Sequence, residues 1–140
     1  MTNRSMGEIV RRQKPVTLPA SASVIDAARL MRERRIGAIL VVGPDDRLEG
    51  LFTERDAVGR VLADARDPRA TILSEVMTPA PDALKPGDHA IDALRLMRDG
   101  GYRHMPVVVD DKLVGIVSIG DFEGIEKARL DEETGFWEVM

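Results

Sequence analysis

The chain has 140 residues, 44% hydrophobic and 31% charged, which suits a globular protein of one ordinary domain or two small halves that depend on each other. A net charge of −4 and a pI near 5.2 argue against a general nucleic-acid binder, which needs a basic face to displace counterions. The absence of cysteine excludes disulfides, thiolate metal sites and a thiol nucleophile, and no apolar stretch approaches the roughly 18 residues of a membrane span.

Residues 1–10 have no apolar core of the kind a signal peptide carries, so a cytoplasmic protein is expected. Val16-Thr17-Leu18 follows Pro15 as a short extended piece. From Ser23 to Arg34 the apolar positions Val24, Ala27, Ala28 and Met31 fall on one face of a helix. Ala38 to Val42 is a buried strand, Gly43 to Asp46 a turn, Leu48 to Phe52 a second strand, and Thr53 to Ala63 a second helix. Asp64 to Ala70 is polar, contains Pro68 and reads as linker. Then Ala90, Ala93, Leu94 and Met97 mark a helix. Met105 to Val109 and Leu113 to Val117 are strands about the turn Asp110-Asp111, and a helix is expected from Ile119 onward.

These elements occur twice. Ser23–Met31 (SVIDAARLM) matches His89–Met97 (HAIDALRLM), so that Asp26 corresponds to Asp92 at an offset of 66 (92 − 26). Val41-Val42 matches Val107-Val108 at the same offset. Gly50-Leu-Phe-Thr53-Glu-Arg-Asp56 then matches Gly115-Ile-Val-Ser118-Ile-Gly-Asp121 at 65 (115 − 50), one residue having been lost in the intervening hairpin turn. The fold class expected is therefore mixed α/β (α+β): two β-α-β-β-α units related by a pseudo-twofold axis and packed as one module. Each copy alone is too small to bury much core, and the interface of two docked copies offers two related clefts, a common location for ligands.

The repeated unit resembles the cystathionine-β-synthase (CBS) domain. The likeness rests on the ending Gly-x-x-Thr/Ser-x-x-Asp, the opening Val76-Met77-Thr78-Pro79 of the second copy and the run Tyr102-Arg-His-Met-Pro-Val-Val108. Two in tandem resemble a Bateman module, with one domain over residues 10–66, a second over 71–130 and a tail over 131–140, and a stand-alone CBS pair with no catalytic domain is expected. The resemblance implies a regulatory module that binds an adenosine nucleotide (AMP, ADP or ATP, with NAD(H) or S-adenosylmethionine as alternatives). It also implies a homodimer and a regulated protein partner that the sequence does not name.

Thr53 with Asp56, and Ser118 with Asp121, admit two readings. At a helix start they form a capping box, although Asp is shorter than the usual Glu or Gln at the fourth place. The resemblance instead gives Asp56 and Asp121 to the ribose, with Thr53 and Ser118 on ribose or phosphate. Arg103 and His104 are either a solvated pair or, by resemblance, a phosphate clamp; Arg35 is a further candidate, and equally a solvated helix end. Copy one has Gly37 and Ala38 at the positions of Arg103 and His104, so the two clefts are not equivalent. The family positions put ribose on Asp56 and phosphate on Arg103 and His104 in the more phosphate-dependent site. Leu51 and Ile116 are candidate floor residues for the base or ordinary strand core. The Asp45-Asp46 and Asp110-Asp111 turns need no metal, and two separate histidines make no metal cluster. No nucleophile–base constellation marks an enzyme. Second helices carrying Ala57, Val58 and Gly59 are expected to form the dimer surface, and Phe136-Trp137 in the tail is an apolar tip.

Overall fold

The computed structural model describes residues 3–122 and 130. The chain divides into two compact units. One, here the Asp56 unit, is Pro15–Pro81 with Asp110–Leu113; the other, the Asp121 unit, is built from the described residues of Met1–Lys14, Asp82–Val109 and Val114–Met140. The helix expected from Ile119 onward is, among the described residues, a single 3-10 turn over Ile119–Asp121 followed by an extended Phe122; the chain beyond it, with the Phe136-Trp137 tail, lies outside the described residues, save Leu130, which is buried in the Asp121 core.

In the Asp56 unit, Ser23 caps α2 (Val24–Arg34) by accepting from the Asp26 N–H at 3.2 Å. Val24, Ala27 and Met31 are buried against the sheet; Ala28, expected on that face, is exposed, since a narrow stripe at i, i+3 and i+7 covers the contact. The sheet runs β1-β2-β3-β4: β1 (Thr17–Leu18), β2 (Ala38–Val42), β3 (Leu48–Thr53) and β4 (Thr78–Pro79). The β1–β2 pair is parallel, and the other two pairs are antiparallel. Ile39, Val41 and Phe52 are fully buried with Leu73 and Val76. The second helix begins where expected, as α3 (Glu54–Asp56), but continues through Ala57–Leu62 with wider, π-helical turns, the Ala63 N–H reaching Val58 O at 2.9 Å. Val58, Gly59 and Val61 are weak α-helix formers, so little opposes the wider winding.

α1 (Met6–Val10) and α4 (Leu73–Val76) had no signal in the periodicity, being little more than one turn each. They are exchanged between the repeats. α1 precedes copy one in sequence but places Met6 and Val10 in the core of the Asp121 unit; α4 precedes copy two but lies in the Asp56 unit. The same bonds hold both. Met6 N donates to Asp88 O (2.8 Å) as Leu73 N does to Ala22 O (2.9 Å), and Ala90 N donates to Arg4 O as Val24 N does to Thr71 O. Ser5 bridges His89 as Ile72 bridges Ser23.

The Asp121 unit carries α5 (Ala90–Gly100), whose Ala90, Ile91, Ala93, Leu94 and Met97 are buried, the strand β5 (His104–Val109) and, from Val114, the strand β6 (Lys112–Ser118) that pairs with it. Leu84 pairs in parallel with Val107 as Leu18 does with Val41, at the repeat offset of 66 (84 − 18 and 107 − 41). Positive φ at both Asp110 and Asp111 makes the β5–β6 connection a two-residue turn; copy one needs the longer Gly43–Arg47 loop, and its register shifts at Val41/Val42.

Candidate functional site

Both acid turns sit at the end of a strand that enters a helical turn, and in both Asp does reach back. Thr53 Oγ1 accepts from the Asp56 N–H at 3.2 Å, while Asp56 Oδ2 accepts from the Thr53 N–H at 3.0 Å and from the Thr53 hydroxyl at 3.2 Å. At the second turn Asp121 Oδ2 accepts from the Ser118 N–H at 2.7 Å and from its hydroxyl at 3.4 Å. The short carboxylate suffices because the residue before each turn is extended (Thr53 φ −116°, Ser118 φ −117°), which brings its N–H over the first turn.

The second carboxylate oxygen distinguishes the two. Asp56 is 8% exposed, and its Oδ1 accepts from the Thr78 hydroxyl of β4 at 3.4 Å and faces Arg60 Nε at 3.7 Å. Arg60 is itself held, Nη1 donating to Met77 O at 2.8 Å and Val76 O at 3.3 Å. Asp121 is exposed, and among the described residues no side chain is placed on its Oδ1; Arg4 Nη2 donates to its main-chain carbonyl at 2.8 Å.

Arg103 lies beside the second turn within its own unit, its carbonyl accepting from the Ile119 N–H at 3.0 Å. Gly37 makes the same bond to Glu54 at 3.0 Å, so the first turn has no cation at that place. Arg103 is exposed, and His104 is half-buried at the start of β5. Arg35 ends α2 in the left-handed conformation (φ 56°, ψ 46°), its N–H on Arg32 O and Met31 O, with its side chain exposed. Leu51 is buried and pairs with Leu40 and Thr78; Ile116 is half-buried, its N–H donating to Gln13 Oε1 at 2.9 Å and its carbonyl accepting from Gln13 Nε2 at 2.8 Å.

The motif glycines have a packing reason. A Cβ on Gly50 would come within 3.0 Å of Met77 Sδ, and one on Gly115 within 3.0 Å of Val10 Cβ. Met77 and Val10 end the exchanged helices, so glycine at this point of each repeat is what lets the borrowed segment lie against the strand.

The CBS-domain family matches residues 6–63 and 73–123. The chain belongs to the CBS-domain family. Among curated relatives, it is 34% identical over 128 residues to the CBS domain-containing protein CBSCBSPB3 of Arabidopsis thaliana, covering 90% of this chain and 23% of that protein. It thus spans about a quarter of the length of the first curated relatives it matches. It is 32% identical over 137 residues to the uncharacterized protein MK0525 of Methanopyrus kandleri, covering 95% of this chain and 69% of that one. Among solved structures, the CBS domain protein PAE2072 of Pyrobaculum aerophilum, complexed with AMP, superposes with a TM-score of 0.81 at 26% identity, covering 91% of this chain and 98% of that one.

The CBS repeat explains where Thr53, Asp56, Ser118 and Asp121 stand, but not the residues that surround them. Arg60 and Gln13 escaped the sequence reading, and Thr78 entered it only as part of the Val76-Met77-Thr78-Pro79 run, with no role assigned. Arg60 had a signal, since Asp56 and Arg60 are an acid–base pair at i, i+4. The contacts of Thr78 with Asp56 and of Gln13 with Ile116 had none, because each residue belongs to a segment exchanged between CBS repeats. Among the described residues no group of acids and histidines could hold a metal ion, and no helix is long and apolar enough to cross a membrane.

Proposed function

We propose that this CBS pair is a non-catalytic regulatory module of the cytoplasm that binds an adenine nucleotide (AMP, ADP or ATP) and passes its occupancy to a partner. The observation that carries the reading is the twice-repeated acid turn: a carboxylate on a first helical turn, with one oxygen spent on the cap and the other outside it. Such an oxygen accepts from ribose hydroxyls in charge-assisted bonds. In this reading Asp56, Thr53, Asp121 and Ser118 take ribose, Arg103, His104 and Arg35 take phosphate, and Leu51 and Ile116 lie under the base. The AMP complex of the Pyrobaculum CBS protein supports the class of ligand. NAD(H) and S-adenosylmethionine are the alternatives to screen.

A second reading is a ligand-independent interaction module. It is favoured by the completed capping boxes, which account for all four motif residues structurally. Calorimetric titration of AMP, ADP and ATP separates the two. Nucleotide binding predicts a dissociation constant that rises about tenfold or more when both carboxylates become Asn, the loss of charge-assisted hydrogen bonds. Arg103→Ala should weaken ATP more than adenosine, an effect that shrinks at high salt. No heat and no thermal shift with any of the nucleotides at millimolar concentration would leave the interaction module as the function. In either reading the assembly proposed is a homodimer through the helix carrying Ala57, Val58 and Gly59.

A further inference from the structure

Asp56 and Asp121 are the same residue of the repeat, yet they differ in what holds them. Both give Oδ2 to a capping box. Asp56 Oδ1 is also met by the Thr78 hydroxyl (3.4 Å) and Arg60 Nε (3.7 Å), and Arg60 is tied to the Val76 and Met77 carbonyls, so the acid, α3 and the α4–β4 segment form one polar network. Asp56 is buried and Asp121 exposed. The residue four beyond Asp121 is Ile125, which has no side-chain donor with which to repeat the Arg60 contact. We propose that Arg60 and Thr78 latch the Asp56 carboxylate, so that a nucleotide ribose engages Asp121 without breaking a protein contact and engages Asp56 only by opening the latch. The proposal rests on the nucleotide-binding reading and ranks its two acid turns. The ranking differs from the sequence expectation, in which the more phosphate-dependent site had its ribose on Asp56.

The physical basis is competition for one oxygen. A vicinal diol donating to Asp56 Oδ1 must displace the Thr78 hydroxyl and move into the field of Arg60, whose own charge then loses part of its partner. Both contacts are long and Arg60 is half-exposed, so the latch weakens ribose binding by about threefold to fivefold, the scale of one exposed ion pair, and does not abolish it.

The test is calorimetric titration of AMP into the 140-residue chain and its variants, with thermal melts to confirm folding. Asp121→Asn is expected to weaken AMP about tenfold or more, and Asp56→Asn by less than about threefold. In the Asp121→Asn background, Arg60→Met or the shape-keeping Thr78→Val should strengthen the residual binding by about threefold. A larger loss in Asp56→Asn than in Asp121→Asn overturns the proposal. So does a further loss on removing Arg60, which would make Arg60 a ligand contact instead of a latch. If the unmodified chain binds no nucleotide, the functional reading fails separately, and the latch is then judged by NMR of the Arg60 Nε–H. That resonance should shift in Asp56→Asn and stay in place in Asp121→Asn; equal behaviour in the two variants would show that no latch exists.

Discussion

Arg35 occupies a position that ordinarily belongs to glycine. It closes α2 at φ 56°, where its repeat counterpart Gly101 closes α5 at φ 71°. An L-residue in this region costs roughly 1–2 kcal/mol, part of which glycine recovers. Arg35→Gly is therefore expected to stabilise the protein by about 1 kcal/mol, read as a raised urea midpoint at unchanged slope. If Arg35 also meets phosphate, the more stable variant will bind ATP more weakly. Tyr102 gives a second residue-scale expectation. Its hydroxyl donates to Asp82 Oδ2 at 2.5 Å, and that bond, then the charge of Asp82, raises the phenol above its ordinary value of 10.0. A raised acid favours the neutral form in the folded state, so this contribution to stability is complete below pH 10.0 and is lost as pH rises through the folded value. The chain has one tyrosine, so tyrosinate absorbance reports it alone, and Asp82→Asn should bring the titration down towards 10.0. No change in that variant would mean that the bond is absent in solution.

At the scale of elements, the repeat is legible wherever an element is long enough to show a period. α2, α5 and the four longer strands stand where the apolar pattern put them, because their burial is what generates the pattern. α1, α4 and the two-residue β4 were silent, since pieces this short are held by partners distant in sequence and by little of their own. The motif glycines connect the two levels. Gly115 faces the branch atom of Val10, which has no freedom to withdraw, whereas Gly50 faces the flexible thioether of Met77. Gly115→Ala is expected to cost about 1–3 kcal/mol and Gly50→Ala about 1 kcal/mol or less. Denaturant melts that gave equal losses, or the reverse order, would contradict the packing assigned to the exchanged helices.

At the scale of the whole molecule, the helix after Asp56 leaves Val58 at 59% and Leu62 at 72% exposure, two apolar side chains four residues apart with Gly59 between them. Apolar residues so placed are an invitation to a neighbour, and small residues beside them permit close approach. If this surface forms the proposed homodimer, Leu62→Glu should give a monomer by light scattering at micromolar concentration and leave the thermal melt of the monomer otherwise intact. A dimer that survives Leu62→Glu would place the interface elsewhere.

What the amino-acid sequence determined by itself was the duplication, the order of elements within each copy and the identity of the two acid turns. All of these follow from local period and from identical residues at one offset, and need no knowledge of which segments meet. What only the tertiary structure decided was the exchange of α1 and α4 between repeats, and with it the inequality of the two acids. Thr78 stands on Asp56 because β4, 22 residues further along the chain, pairs with β3 (78 − 56), and the carbonyls of Val76 and Met77 just before it hold Arg60 in place. A contact made by a borrowed strand leaves no periodic trace in either segment, so the same motif written twice came to hold its carboxylate in two different surroundings only on folding.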